Sequence, residues 1–352
     1  MTPLLTISCL TFNHEKFLRQ TLDGFVSQKT NFKFEVFIHD DASTDKTQDI
    51  IREYQSKYPE IIKPLLQTEN QHSKGHSISR TFVFPKIKSK YVAICEGDDY
   101  WIDENKLQKQ VDFLEANPDY AVCFHPVKVI YENNTKTEEI YPEKELWQTP
   151  LDFEQLQHRN FIQTNSVVYR WRFSDGNAAE FIPNGILPGD WYWHLLHAQT
   201  GKIKMLPDVM SVYRKHAGGI WYDEDKYQVN MHLRNGMKEL KFYHSVYKYI
   251  TDSSEKYFNE VLLPSFRNII GIFGENGKWQ DMKNVSELYP EEYAAAFTAP
   301  NDDYKKTIDS LVAQRTKLSG KVNKYKKLTR IFIAVAVIEL LLISAILILR
   351  AV

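Results

Sequence analysis

The sequence predicts an α/β fold in which a mostly parallel sheet carries helices on both faces. Three observations predict it. Strand-like and helix-like runs alternate through residues 1–130. The strand-like runs are continuous apolar stretches, as expected for strands buried on both faces. Polar and acidic clusters follow directly on the strands, at the edge where open α/β sheets bind their ligands.

Strands are expected at 5–10, 34–39, 61–66, 91–95 and 120–130, with amphipathic helices at 15–28, 44–57 and 105–116. Beyond them, NSVVYR at 165–170 reads as a further strand, PGDWYWHLL at 188–196 opens a helix ending near Gly201, and 202–206 reads as a short strand. Residues 220–302 read as helices rich in Tyr, Lys and Glu, broken at Pro264 and between Gly271 and Gly277. They could support an acceptor site or act as a spacer.

The 352 residues are 43% hydrophobic, 25% charged and 13% aromatic, which excludes disordered and collagen-like classes. Lys plus Arg (44) nearly balances Asp plus Glu (45), so nothing attracts the chain as a whole to nucleic acid. Cys9, Cys95 and Cys123 lie far apart in apolar runs and read as reduced core thiols. No CxxC, HExxH, GxxxxGK[ST] or GxGxxG string occurs, which removes the usual support for zinc, P-loop and dinucleotide sites.

The two ends differ. MTPLLTISCLTFNHEK lacks the basic segment and the length of a secretory leader, so the amino terminus is expected inside the cell. Residues 331–349 contain one ionisable side chain, Glu339, and are long enough to span most of a bilayer core. Lys321, Lys324, Lys326, Lys327 and Arg330 precede them and belong on the cytoplasmic side. The expectation is a single C-terminal anchor in the cell membrane. Tyr304, Ile308, Leu311, Arg315, Leu318, Val322 and Tyr325 recur at heptad spacing, which fits a homo-oligomeric juxtamembrane coil at 303–330 or a solitary amphipathic helix on the lipid.

Two acidic clusters follow adjacent strands: Asp40-Asp41-Ala42-Ser43-Thr44-Asp45 and Glu96-Gly97-Asp98-Asp99-Tyr100-Trp101. Such clusters are costly unless a cation or several donors sit between them. A divalent metal carrying a diphosphate would satisfy the second, since Mg²⁺ and Mn²⁺ favour carboxylate oxygen and keep positions for phosphate. Helix capping explains Asp45 without explaining the pair before it, and Asp190 could equally be a first-turn acid of its helix.

In this order the motifs resemble the family-2 nucleotide-sugar glycosyltransferases of the GT-A fold, a Rossmann-like nucleotide half joined to an acceptor half. The resemblance covers about residues 4–216: Thr11-Phe12-Asn13, the 40–45 turn, Asn70, Gly75 and Arg80, the 96–101 turn followed by Lys106-Leu107, Gly189-Asp190, and Tyr213-Arg214-Lys215-His216. It implies that Phe12, Asn13, Asp40, Asp41, Arg80, Glu96 and Asp98 bind the donor nucleotide, with Phe12 on the base and Asp41 accepting from a uracil-type nitrogen. It implies that Asp98, Asp99 and His216 hold Mg²⁺ or Mn²⁺, that Arg214 meets the diphosphate, and that Asp190 is the catalytic base of an inverting transfer. Glu96 stands where the family usually has Asp, and Gly189 where it usually has Glu. There is no Gln-x-x-Arg-Trp string, so single-sugar transfer is expected rather than a processive synthase.

The expected organisation is therefore a GT-A domain at 1–219, a helical region at 220–302, a juxtamembrane helix at 303–330 and a membrane span at 331–349. The expected partners are a UDP-sugar, a membrane-held glycan or lipid-linked acceptor and the lipids themselves. The rival reading is a catalytically silent, membrane-tethered scaffold of the same fold that partners another transferase.

Overall fold

A computed structural model describes residues 2–132, 137–148, 151–219 and 227–298. The chain divides into two compact units, Met1–Pro290 and Glu291–Val352. In the first, the elements run β1 Leu5–Thr11, α1 Leu18–Val26, β2 Phe34–Asp40, α2 Thr47–Lys57, β3 Ile62–Leu66, β4 Tyr91–Ile94, β5 Tyr100–Trp101, α3 Lys106–Ala116, β6 Tyr120–Phe124, β7 Val127–Tyr131 and β8 Glu139–Tyr141. There follow α4 Phe153–His158, β9 Val168–Arg170, α5 Gly189–Ala198, β10 Lys202–Met205, β11 Ser211–Lys215, α6 Tyr227–Tyr249, α7 Glu255–Tyr257, α8 Leu263–Glu275 and α9 Trp279–Leu288. Of the second unit only part of α10, Pro290–Thr298, is described.

Seven strands form the main sheet in the order β10-β6-β9-β4-β1-β2-β3. β1 pairs in parallel with β2 and β4, and β2 with β3, which makes the amino-terminal half the expected parallel sheet. Its strands carry Leu5, Ile7, Cys9, Val36, Ile38 and Ala93 with no exposed surface. Leu18, Leu22 and Phe25 of α1 and Leu107 and Leu114 of α3 close over them, each such burial contributing roughly 1.5–3 kcal/mol for the larger side chains. All three cysteines are free and buried, as expected.

Two expectations are corrected here. Residues 120–130 are not one strand: the chain breaks at His125-Pro126, because proline cannot donate to a ladder. β6 stays in the main sheet while β7 enters a second sheet, ordered β5-β11-β7-β8. The 165–170 strand begins only at Val168 and runs antiparallel to both β4 and β6. The second sheet places the carboxyl end of β11 beside the turn that follows β4.

Helix α6 is fastened to α5. Trp191 packs on Phe242 at 5.1 Å between ring centroids, the Leu187 N–H donates to the Lys238 carbonyl, and Gln199 donates to the Ile250 carbonyl at 2.7 Å. The helical region thus braces the helix that bears Asp190. The expected elements at 303–330 and 331–349 lie outside the described residues; among the described residues no helix is long and apolar enough to cross a membrane.

Candidate active site

The acidic turn after β4 is tied to the end of β1. The Gly97 N–H donates to the Leu10 carbonyl, and a β-carbon on Gly97 would lie 2.5 Å from Thr11 and 2.9 Å from the His14 ring, so only glycine permits this approach. Thr21 of α1 donates its hydroxyl to the Asp99 carbonyl at 2.6 Å and lies 3.0 Å from that of Gly97. The turn is rigid before any ligand arrives.

The Asp98 carboxylate is partly exposed and that of Asp99 is not. His216, just past β11, lies with Nε2 3.0 Å from Asp98 Oδ2, and His14 Nε2 lies 3.8 Å from the same oxygen. Asp99 is buried, and its Oδ1 accepts the Arg214 backbone N–H at 2.9 Å. Through that oxygen it joins the 96–99 turn to β11. Burial by itself would raise the Asp98 carboxyl, but the hydrogen bond from His216 and the nearby His14 hold it below the usual range. Burial first, and then the Asp98 charge, push Asp99 well up. Burial lowers His14.

Glu96 opens the acidic turn and is partly buried. Burial, then the charges of Asp98 and Asp190, push its carboxyl up to about 8. Glu96 therefore feels the charge of Asp190 as well as that of Asp98. Asp190 occupies the first turn of α5, where its Oδ2 accepts the Thr164 hydroxyl at 2.9 Å and its Oδ1 the Trp191 N–H at 2.8 Å.

Arg214 is held from several sides. Its guanidinium donates to the Asp98 carbonyl at 2.8 Å and to Gln20 Oε1 at 2.7 Å, and lies over Phe17 (4.5 Å) and Tyr100 (5.1 Å). These contacts make it a strut behind the acidic turn.

On the nucleotide side, Phe12 stands 44% exposed at the tip of β1, free to take a flat ring. Asn13 adopts φ 56, and its side-chain oxygen accepts the Thr44 N–H at 2.8 Å, stitching the β1 tip to the β2 turn. Asp40 has no exposed surface and accepts from Thr11, the Ser43 hydroxyl and N–H, and Gln48. It is a knot in the turn, not a ligand-facing group. Asp41 accepts the Gln71 and His72 N–H groups at 2.8 and 3.0 Å and so pins the 70–75 segment over the nucleotide side. Arg80 donates to the Ala179 carbonyl at 2.9 Å, away from the acidic turn.

Among the described residues, no three His, Cys, Asp or Glu side chains form a set able to hold a metal ion alone. What exists is a carboxylate oxygen and an imidazole nitrogen 3.0 Å apart, with the buried Nδ1 of His14 lacking a partner behind them. Two ligands at about 2.1 Å from one ion and at right angles would be about 3.0 Å apart, so the pair fits a hard divalent cation that takes its other ligands from phosphate and water. His14 and Thr164 were missed in the sequence. His14 directly follows the Thr-Phe-Asn element and could have been found by asking what extends past β1.

This arrangement defines a GT-A-type domain with a nucleotide-facing turn and a carboxylate in the first turn of α5. Residues 7–175 match the family described as Glycosyl transferase family 2. An uncharacterized protein of Mycobacterium tuberculosis is 46% identical over 218 residues, covering 62% of this chain and 60% of that relative. The chain therefore spans well under two thirds of that relative's length. Among solved structures, S. aureus TarS 1-349 in complex with UDP-GlcNAc superimposes with a TM-score of 0.52 at 16% identity, over 89% of this chain and 92% of that one. The mannosyltransferase PcManGT from Pyrobaculum calidifontis, in complex with GDP-Man and Mn²⁺, gives a TM-score of 0.51 at 14% identity, over 89% and 87%. Both share the fold.

Proposed function

We propose that this chain is an inverting, metal-dependent, non-processive glycosyltransferase that moves one sugar from a nucleotide donor, a UDP-sugar, to a hydroxyl of a membrane-held glycan or lipid-linked acceptor. The observation that carries the reading is the pairing of Asp98 with His216, whose turn is joined through the Trp101–Asn165 hydrogen bond to the segment whose Thr164 hydroxyl holds Asp190. Asp190 takes the proton of the acceptor hydroxyl as that oxygen attacks the anomeric carbon. The bond from that carbon to the diphosphate oxygen breaks on the opposite face, and the nucleoside diphosphate leaves with the electron pair.

Asp98 and His216 would hold Mg²⁺ or Mn²⁺, which when bound neutralises charge on the departing diphosphate. Phe12 offers a stacking face for the base, and Asp41 keeps lone pairs for a ring N–H beside the two it already accepts. The proposed location rests on the apolar run 331–349 and the basic residues before it: a single-pass anchor holding the transferase domain at the cytoplasmic face. The TarS complex with UDP-GlcNAc supports a UDP-sugar donor, and the Mn²⁺ complex of the mannosyltransferase supports the metal.

The test is a thermal-shift panel of nucleotide sugars with and without Mn²⁺, followed by release of nucleoside diphosphate. Stabilisation by a UDP-sugar that needs Mn²⁺, and release abolished by Asp190→Asn, are expected. A folded Asp190→Asn protein with unchanged turnover would end the reading.

A further inference from the structure

We propose that Thr164 is a positioning residue for Asp190, and that the turn Thr164–Ser166 locks the carboxylate on the acceptor side to the acidic turn on the donor side. The inference rests on the reading of Asp190 as the base. Thr164 Oγ1 donates to Asp190 Oδ2 at 2.9 Å while the Trp191 N–H holds Oδ1, so both oxygens are fixed and the carboxylate plane cannot rotate freely. One lone pair on each oxygen remains for an incoming proton.

The turn is anchored on three sides. The Asn165 carbonyl accepts the Trp101 indole N–H at 2.9 Å, which ties it to the segment directly after Asp98 and Asp99. The buried Asn165 side chain donates to the Val212 carbonyl at 2.9 Å and accepts the Ser211 hydroxyl at 3.0 Å, which ties it to the strand leading to His216. The Ser166 carbonyl accepts from Gln110 of α3 at 2.9 Å. The hydroxyl of Thr164 is thus held in place by the same elements that carry Asp98 and His216, and passes that registration to Asp190.

A purely structural threonine would tolerate loss of its hydroxyl with no change in proton chemistry. A hydrogen bond to the ionised carboxylate favours that form, so its removal favours the protonated one. The titratable groups that feel the Asp190 charge are Glu96 from the acidic turn, Tyr141 from β8, Tyr169 from β9 and His194 from α5, and none of them changes in the variants proposed.

The experiment compares Thr164→Val, Thr164→Ser and Asp190→Asn in the full chain. UDP-N-acetylglucosamine with Mn²⁺ is the probe, water the acceptor and UDP release the readout. In parallel, the Asp190 ¹³Cγ signal is titrated in ¹³C-aspartate-labelled protein and assigned by its loss in Asp190→Asn. Thr164→Val is expected to lower kcat about 10- to 100-fold with KM within about twofold, and to move the acidic limb of the rate profile and the ¹³Cγ titration to higher pH. Thr164→Ser is expected to restore both. An unchanged ¹³Cγ titration in Thr164→Val, or equal impairment of the Val and Ser variants, overturns the proposal whether or not the probe is turned over. Loss of the Asp190 role itself shows separately, as a wild-type rate in Asp190→Asn.

Discussion

His216 Nε2 and Asp98 Oδ2 meet at 3.0 Å although 118 positions separate them in the chain. The contact is made by β11 entering the second sheet beside β5, so that Ser211 pairs with Trp101 and the strand runs out over the acidic turn. Asp98 also crowds Glu96 and Asp99, two carboxyls raised in part by its charge. The contacts from His216 and His14 nonetheless favour ionised Asp98 in the folded state, so Asp98→Asn should lower the ligand-free melting temperature by about 2 °C. It should abolish the Mn²⁺-dependent stabilisation by a UDP-sugar, which at a hundred times Kd is worth about 2.7 kcal/mol. A melt that keeps the Mn²⁺ effect would remove Asp98 from the metal site.

Arg214 supplies the second expectation. It is 9% exposed and bonds the Asp98 carbonyl and Gln20 between two aromatic rings. Charged hydrogen bonds of this kind contribute about 1.5–3 kcal/mol, so Arg214→Gln should cost about 2–3 kcal/mol in urea denaturation. Were Arg214 instead a diphosphate ligand, the variant would unfold normally and lose only donor affinity.

The parallel half was legible because each of its strands is buried on both faces and reads as an apolar run with no competing signal. Asp98, Asp190 and His216 were legible as members of an ordered set. The partnerships were not. Whether Asp99 or Asp98 keeps a partly exposed carboxylate depends on an N–H of Arg214, which no local pattern encodes. Asp40 and Asp41 are adjacent and chemically identical, yet one is knotted into its turn and the other pins residues 71–72. The antiparallel β9 and the break at Pro126 are long-range outcomes of two sheets sharing one chain. Thr164 carries no motif; only the fold brings it to Asp190.

Asp40 tests the distinction. Its carboxylate receives the Thr11 hydroxyl at 3.0 Å, the Ser43 N–H at 3.0 Å and the Gln48 amide at 2.7 Å in a fully buried position. Asp40→Ala strands these donors, each costing about 1–3 kcal/mol when unsatisfied, so a loss of at least about 3 kcal/mol is expected. Asp41→Asn keeps one of the two acceptor oxygens and leaves one N–H of residues 71–72 facing an amide NH2, so it should cost about 1–2 kcal/mol, chiefly loosening the 70–75 segment. Equal losses for the two variants would contradict these assignments.

Below pH 6.5 two buried histidines pull stability down, against Glu96 and Asp99, whose raised carboxyls pull it up. Burial lowers His194 to about 4 and His197 to about 3, from an ordinary 6.5. The folded values lie below the unfolded ones, so between them the unfolded chain binds protons that the folded chain refuses. The contribution is complete above pH 6.5 and is lost as the pH falls toward 4 and then 3. Near pH 5 the pair adds up to about 2.7 kcal/mol per pH unit to the slope. His197→Phe keeps a ring against Tyr169, 4.2 Å from it in the native protein, and should lower the slope near pH 5 by up to about 1.4 kcal/mol per pH unit relative to the native protein in pH-dependent urea titrations.

Lys106 has no exposed surface, and burial lowers its ammonium to about 7 from an ordinary 10.5. Its Nζ lies 4.1 Å from the Trp101 ring centroid and donates to Gln110 at 2.8 Å, so it sits directly beneath the acidic turn. Here the unfolded chain holds a proton that the folded chain has shed across pH 7 to 10.5. The penalty is full below pH 7 and fades as the pH rises through that window. Lys106→Met removes the penalty along with the contacts to Trp101 and Gln110. The balance should favour methionine by about 1–3 kcal/mol at pH 7, because replacing a buried charge with an apolar group of similar volume is often stabilising. The gain should shrink toward zero by about pH 10. Paired denaturation curves of the two proteins at pH 7 and pH 9.5 decide it: a methionine variant less stable at pH 7, or a gain that does not shrink, would mean that the lysine is stabilised by its partners rather than merely tolerated.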